Sequence, residues 1–534
     1  MRSAVSIRVG ALLCVLLAAC GETAPSATNP DDAVRMGRSV IDRAIREAGV
    51  TNSLAGGRPF TITGTGTLDK AAEGQSLTPG QPAPGPFRER LAFDLKGGRA
   101  SREYREDRYD GTIEHITELH DADSTLTLLL HTHGLAVPRR SPLNVAARRA
   151  LLRRLPHALL AEVSREGATP RWLGSNDDAD SVAALLQTGT SVILAFDPAD
   201  GLLRSLTYDT VIAGRGRTTL SWTWSDWRIL PELGRFPFRY AATVNNQPYI
   251  DVFVDSVTIA TDSDFTAPAS LRRMATQFDS AAAPPPLHFQ SVASGVFIVP
   301  GVRGGFAPLV IERASDIVIV DAPASFPLLG SIPLAQTDPG PYPGWVSERF
   351  VDAIRQRFPE KPIRHLILTH GHHDHAGGVR AFVAEGATVV AHPSLRPQIQ
   401  DLLQVSPDDL ADRYAQQPRP LEFLDVRDSL RLDDPIRPIR ILLIDPNPHA
   451  AGLLAVHLPS ANILFLSDLI TPAPIDVYPR AYHAPLDLAF LRWFDTMPFS
   501  NTRIFSMHGS GELSRQHLDR LRRLSAQRES VSGR

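Results

Sequence analysis

The chain has 534 residues, and at about 150 residues per domain that leaves room for three or four units, or two large ones. Hydrophobic residues make up 43% and charged residues 21%, which excludes a fibrous, collagen-like or wholly disordered chain. Lys+Arg 55 against Asp+Glu 58 give a net charge of −3, and a balance so near neutral excludes a dedicated nucleic-acid binder.

At the N-terminus, Arg2 and Arg8 flank the start of an apolar run that ends at Leu17. The run is too short to span a bilayer, which needs about 20 apolar residues, and reads as the hydrophobic region of an export signal. It closes on Leu17-Ala18-Ala19-Cys20-Gly21. This resembles the bacterial lipobox, in which small residues precede a cysteine that is lipidated and becomes the new N-terminus. The resemblance implies removal of the segment before Cys20, acylation of Cys20, and a protein held on a membrane in the cell envelope. Gly21 after the cysteine resembles outer-membrane sorting, with the protein facing the periplasm. The other cysteine, Cys14, falls in the removed segment, so no disulfide is expected. No later segment has 18 uninterrupted apolar residues, so no second span is expected.

Residues 21–30 form a Ser/Thr/Pro/Ala-rich tether. Asp31 or Asp32 is placed to cap a helix running to Ala48 and stopped by Gly49. From Phe60 to about Asp262 the text is strand-like. Phe60–Thr63, Leu91–Asp94, Ser124–Leu130, Val192–Phe196, Thr219–Trp224 and Ile250–Ile259 are β-rich runs between turn residues, with a Pro/Gly loop at Gly74–Pro86. One helical stretch interrupts, Asn144–Arg165, which Pro156 should kink or split. Its Arg148, Arg149, Arg153 and Arg154 read as a solvated face, or one turned to membrane headgroups. The order predicts an antiparallel, β-rich α+β domain over residues 31–275. In pattern it resembles the half-barrels of periplasmic lipoprotein carriers.

An Ala/Pro-rich linker over 276–286 ends this half. Leu309–Ile311 and Ile317–Val320 then predict a hairpin ending on Asp321, followed by a long Gly/Pro loop, Pro323–Pro343. Val346, Phe350, Ile354 and Phe358 recur at helical spacing. Strand Ile363–Leu368, helix Gly378–Glu385 and strand Thr388–Ala391 follow, then strands Ile439–Ile444, Leu453–Leu458, Ile463–Leu466 and Ile504–Ser506. The alternation indicates a layered α/β domain over 287–534.

Strand Ile363–Leu368 runs into Thr369-His370-Gly371-His372-His373-Asp374-His375-Ala376-Gly377-Gly378. His370 and His372 stand two apart in a turn after a strand, so both imidazoles can face one point. Asp374 and His375 follow at a helix start and can face a second. Imidazole and carboxylate donors without cysteine suit a catalytic Zn²⁺ site more than a structural one. His131 and His133 copy the His-x-His spacing but lack acidic neighbours and the turn.

His-x-His-x-Asp-His after a strand and before Gly-Gly resembles the metallo-β-lactamase superfamily, and the resemblance covers about Leu287 to the C-terminus. It implies a four-layered αββα sandwich and two metal ions, zinc by preference, with iron or manganese as alternatives. On its pattern three further ligands fall on His449, in Asn447-Pro448-His449-Ala450, on Asp468, in Leu466-Ser467-Asp468, and on His508, in Ser506-Met507-His508-Gly509. Asp321 matches its structural aspartate. His392 and His457 compete with His449, and His483 with His508. The family often has Thr-Pro-Gly or Ser-Pro-Gly where this chain has Ala450-Ala451-Gly452, and Gly where it has Ser467.

The resemblance further implies that His370, His372 and His449 hold one metal and Asp374, His375 and His508 the other, with Asp468 bridging. A hydroxide shared by the two metals would attack a polarised carbonyl or phosphoryl group. Asp374 is the candidate proton shuttle, and Tyr478, Tyr482 and His483 are candidate donors to the leaving group, Tyr482 foremost. A bridging Asp468 points away from true β-lactamases and towards hydrolases of esters, lactones or related bonds. The expected substrate is a small or lipid-like molecule. A binding protein is the alternative, in which the N-terminal sheet takes a lipid or a partner and the metal domain is accessory.

Overall fold

The computed structural model describes residues 29–49, 58–68, 86–94, 97–107, 113–120, 125–129 and 134–139 and, with short interruptions, 154–266, 286–324 and 342–532. The lipobox and Cys20, the Gly74–Pro86 loop up to residue 85, His131 and His133, Arg148, Arg149 and Arg153, the linker up to residue 285, and residues 325–341 lie outside the described residues. Among the described residues no helix is long and apolar enough to cross a membrane.

The N-terminal helix is Pro30–Ala48. Its cap is Asn29, not Asp31 or Asp32. The Asn29 side chain accepts from the Asp31 backbone N–H, and Pro30 occupies the first turn, where a missing N–H costs nothing. Gly49 closes the helix at φ 73°, a left-handed conformation that glycine adopts without strain. Pro156 starts a helix, Pro156–Ser164, and the part of the expected helical stretch before residue 154 lies outside the described residues.

Thirteen described strands form one antiparallel sheet. The first strand of the sheet, Phe60–Leu68, pairs with its last, Gln247–Ile259, and the other described strands fan out on either side. Strands such as Arg99–Asp107 and Gly234–Val244 escape the sequence reading. In the first the inward positions hold Arg102, Tyr104 and Glu106, so the expected apolar alternation is replaced by buried charge.

That buried charge is organised around Glu89. Arg154 donates to both its carboxylate oxygens, at 3.0 and 2.7 Å, Arg102 lies 3.5 Å away, and the Tyr240 hydroxyl donates to it as well. All four side chains are buried. Arg154 therefore faces the core, neither solvent nor headgroups, and its backbone carbonyl accepts from the Trp224 indole. Burial alone would push Glu89 up, but Arg154 and Arg102 outweigh it and hold the carboxyl below its ordinary value of 4.5.

The C-terminal half builds two further sheets. One, of seven strands from Gln290–Ala293 to Phe423–Asp425, begins antiparallel and turns parallel across Ile317–Val320, Ile363–Ile367, Thr388–Ala391 and Phe423–Asp425. The other has six strands, Ser429–Leu432 to Glu512–Leu513. Val318, Val320 and Ile367 of the first share a core with Ile441, Val456 and Phe465 of the second. Alternate residues of the same strands, such as Ile319 and Leu366, join a core with helices Trp345–Arg357, Val379–Ala384 and Arg396–Leu403. Leu464, Leu466 and Ile504 join one with helix Ala484–Phe494 and with Leu521 of helix Arg515–Ser532. Strands apolar on both faces are what helices outside and a second sheet inside require.

Glu89→Gln leaves Arg154 and Arg102 buried beside a neutral amide. Loss of one partner from a buried ion pair costs about 3–5 kcal/mol, to be read as reduced unfolding free energy in denaturant titration. A depressed carboxyl contributes stability above its unfolded value and loses it as pH falls through the folded one. The gap between wild type and variant should therefore hold from pH 7 to pH 5 and narrow only below about pH 4.5. A variant as stable as wild type at pH 7 would refute the role given to Glu89.

Candidate metal centre

The site lies where both sheets present strand ends. Strand Ile363–Ile367 ends at the turn that carries His370, His372, Asp374 and His375. This turn is strapped to Asp321–Ala324. Ala322 N–H donates to His375 O at 2.7 Å, Ala324 N–H to His373 O at 3.1 Å, and Gly378 N–H to Ala322 O at 2.9 Å. The close approach explains the double glycine: a Cβ on Gly378 would sit 2.1 Å from Ser347 Oγ.

Asp321 itself stands at φ 69°, a conformation that aspartate tolerates and that is often found at functional sites. Its buried carboxylate accepts from the Thr369 backbone N–H at 2.8 Å, from Thr369 Oγ1 at 2.9 and 3.0 Å, and from His375 Nδ1 at 2.8 Å. Since His375 spends its Nδ1 proton on Asp321, its Nε2 carries a lone pair. Thr369 Oγ1, donating to Asp321, can accept from His370 Nδ1 at 3.2 Å and turns that ring's Nε2 the same way.

The second sheet supplies the rest. The Asn447 side chain accepts from the backbone N–H of His449 and Ala450 and donates to Ile444 O, which shapes the loop holding His449. Asp468 follows strand Ile463–Leu466, and His508 follows Arg503–Ser506. The Phe306 ring stands 4.4 Å from that of His508, and the two residues form an isolated β-bridge.

Two groups of ligand-type atoms result, His370, His372, His449 and Asp468 in one, and Asp374, His375, Asp468 and His508 in the other, with members within 4.8 Å of one another. Asp468 belongs to both, one oxygen to each. Its Oδ2 lies 3.0 Å from His449 Nε2, and its Oδ1 lies 2.8 Å from His375 Nε2 and 2.9 Å from His508 Nε2. Despite those distances Oδ1 has no aligned hydrogen bond among the described residues. Nε2 of His375 faces Nε2 of His508 at 3.1 Å, and Nε2 of His449 faces Nε2 of His370 at 3.3 Å. At such distances each pair of nitrogens must share either a proton or a cation. The buried His372 Nε2 is likewise without a hydrogen-bond partner. Nitrogen and carboxylate donors of this kind fit a divalent metal such as zinc.

Electrostatics agree with that fit. Burial, reinforced by neighbouring imidazoles, holds His370 and His372 well below the usual histidine value, so both are neutral. Burial would lower His375 too, but Asp468, Asp321 and Asp374 outweigh it and raise it, so a proton competes for the place of a cation. Burial would raise Asp468, but the surrounding histidines hold it ionised.

The residues weighed against these go elsewhere. His392 caps a short turn through Nδ1 and packs its ring on Gly452, where φ is 67°. His457 lies mid-strand with its ring 4.8 Å from that of Phe499. His373, in the turn between the ligand-type residues, is buried. Tyr478 is fully buried and donates to Asp487 at 2.6 Å, which removes it as a proton donor. Tyr482 and His483 lie outside the described residues. Sequence reasoning missed Thr369, Asn447 and Phe306. The first two are small polar residues next to, or two before, a ligand-type histidine, a signal visible once the histidines are known.

The family described as Metallo-beta-lactamase superfamily matches residues 337–508. This region is a metallo-beta-lactamase superfamily domain. The domain's histidine and aspartate cluster makes the protein a metallo-hydrolase. Among solved structures, the chain is similar to the metallo-beta-lactamase from Pontibacter korlensis, at 13% identity and TM-score 0.32 over 44% of this chain and 97% of that one. It is also similar to the metallo-beta-lactamase from Hirschia baltica, at 18% identity and TM-score 0.31 over 44% and 96%. A third is from Erythrobacter litoralis, at 16% identity and TM-score 0.31 over 45% and 97%. No curated protein matches the chain.

Because Asp321 orients His375 directly and His370 through Thr369, one ligand-type histidine in each group depends on it. Thr369→Val and Asp321→Asn should each lower metal affinity about 10–100-fold, the usual effect of removing a ligand's hydrogen-bond partner. Competition with a chromophoric chelator reads this directly, and wild-type affinity in both variants would refute the orienting role.

Proposed function

We propose that the protein is a dinuclear metallo-hydrolase of the cell envelope that cleaves an ester, lactone or related bond in a small or lipid-like molecule. The observation that carries this reading is the division of Asp468, with one carboxylate oxygen towards each donor group. His370, His372 and His449 would hold one metal, and Asp374, His375 and His508 the other, in a domain we read as the four-layered sandwich expected of its family. When bound, divalent metal supplies Lewis acidity and lowers the pKa of water towards about 7.

The chain's own residues do the rest. Asp374 keeps 13% of its side chain exposed, with Oδ2 3.8 Å from His375 Nε2. It takes the proton from the attacking water and passes it towards the leaving group. Tyr482, fourteen residues beyond Asp468, is assigned as the second proton donor. Phe306 beside His508 offers an apolar wall suited to an acyl chain or ring. The signal-like segment ending at Cys20 supports export and lipid anchoring, with the protein facing the periplasm.

The chain lacking residues 1–20 should carry about two equivalents of metal and hydrolyse an ester or lactone. A His372→Ala/Asp374→Ala variant should lose both. Metal analysis beside assays on lactone, thioester, phosphodiester and β-lactam substrates checks this. Absence of metal after growth with zinc would overturn the reading, and activity on β-lactams alone would overturn the substrate class.

A further inference from the structure

One buried hydroxyl next to the centre has no part in the chemistry above. Ser506 closes strand Arg503–Ser506, two residues before His508, and is 3% exposed. Its Oγ accepts from the His508 backbone N–H at 3.0 Å. The same Oγ lies 2.8 Å from Ile470 O and 3.2 Å from Ser467 O, the carbonyls on either side of Leu469 and Asp468, and its single proton is donated to them. The hydroxyl is thus a clasp between two segments: the turn that carries Asp468 and the chain leaving the neighbouring strand with His508.

The register shows why a clasp is needed here. Strands Ile463–Leu466 and Arg503–Ser506 run parallel, with Leu466 opposite Ser506, and Met507 N–H donates to Leu466 O at 3.1 Å. That is the last ladder bond. Beyond it one chain runs through Asp468 to Pro472 and the other through His508 to Gly509, and the two pack together again at Gly509, where φ is 87° and a Cβ would lie 2.3 Å from Pro472 O. Past the end of the ladder, the separation between Asp468 Oδ1 and His508 Nε2, 2.9 Å, is set by side chains. A serine hydroxyl accepting from the N–H two residues on is a local turn that fixes the following backbone. Here it also donates across to the partner turn.

We propose that Ser506 is a positioning residue for the second metal, setting the distance between Asp468 and His508 without touching metal or substrate. This rests on the dinuclear reading above. His370, His372 and His449 receive no bond from Ser506, and the first group meets the clasp only through the shared Asp468, so the first binding step should change far less than the second.

The test is a stepwise Co²⁺ titration of the metal-depleted chain lacking residues 1–20, followed by d–d absorption, for wild type, Ser506→Ala and Ser506→Thr, with thermal unfolding of each as a control on folding. Wild type should bind in two steps. Ser506→Ala should keep the first within about threefold and weaken the second about 10–100-fold, with an altered spectrum for the second ion. Ser506→Thr, which keeps the hydroxyl, should restore the second step. A folded Ser506→Ala that binds both ions as wild type does, or weakens both steps alike, overturns the proposal, as does a folded Ser506→Thr that behaves like alanine. A wild type that binds one ion or none overturns the dinuclear reading itself, a result separate from these.

Discussion

Asp468 sets the terms for the rest of the C-terminal half. It is a carboxylate enclosed by His370, His375, His449 and His508, with its two oxygens turned to different histidine sets. Burying that many ionisable groups is unfavourable unless charge is compensated. Protons can do part of this, as the raised His375 shows. Divalent cations do it more fully, because they satisfy the imidazole lone pairs that protons leave face to face. The two sheets and their outer helices hold donors from four separate strand ends against that mutual repulsion.

Rigid strands bring these residues near one another, but the final ångström is controlled by small polar side chains. Asp321 and Thr369 set ring orientation, and Asn447 shapes the His449 loop. Asp321 and Asn447 also satisfy buried backbone N–H groups that would otherwise be left without partners. Catalytic loops on a rigid scaffold need such anchors, because a loop's own backbone offers little to hold it. The same residue types do different work when register moves them: His392 caps a turn and His457 packs in a strand.

The N-terminal sheet solves a related problem without a metal. Glu89 lies among Arg154, Arg102 and Tyr240, and every charge has an opposite charge or a hydroxyl within reach. Buried ion pairs of this kind add little stability over apolar packing but penalise any wrong register strongly. In a sheet of thirteen strands, where a one-residue slip would exchange the faces, such a penalty serves specificity.

Much of the C-terminal half is legible in the sequence because its signals are local. The runs Ile317–Val320, Ile363–Ile367 and Ile463–Leu466 are apolar on both faces, and His370–His375 is compressed into a single turn. The N-terminal half is less legible. Strands such as Arg99–Asp107 carry charges on the inward face and lose the alternation that marks a strand. By itself, then, the sequence determined where the donors lie along the chain and which strands deliver them, since both follow from neighbours a few residues apart. Only the tertiary structure decided that Arg154 turns inward to a glutamate 65 residues away, that Tyr478 is spent on Asp487, and that Asp468 stands between two donor groups. Those outcomes depend on contacts between residues far apart in the chain, and no periodicity or spacing within one segment records them.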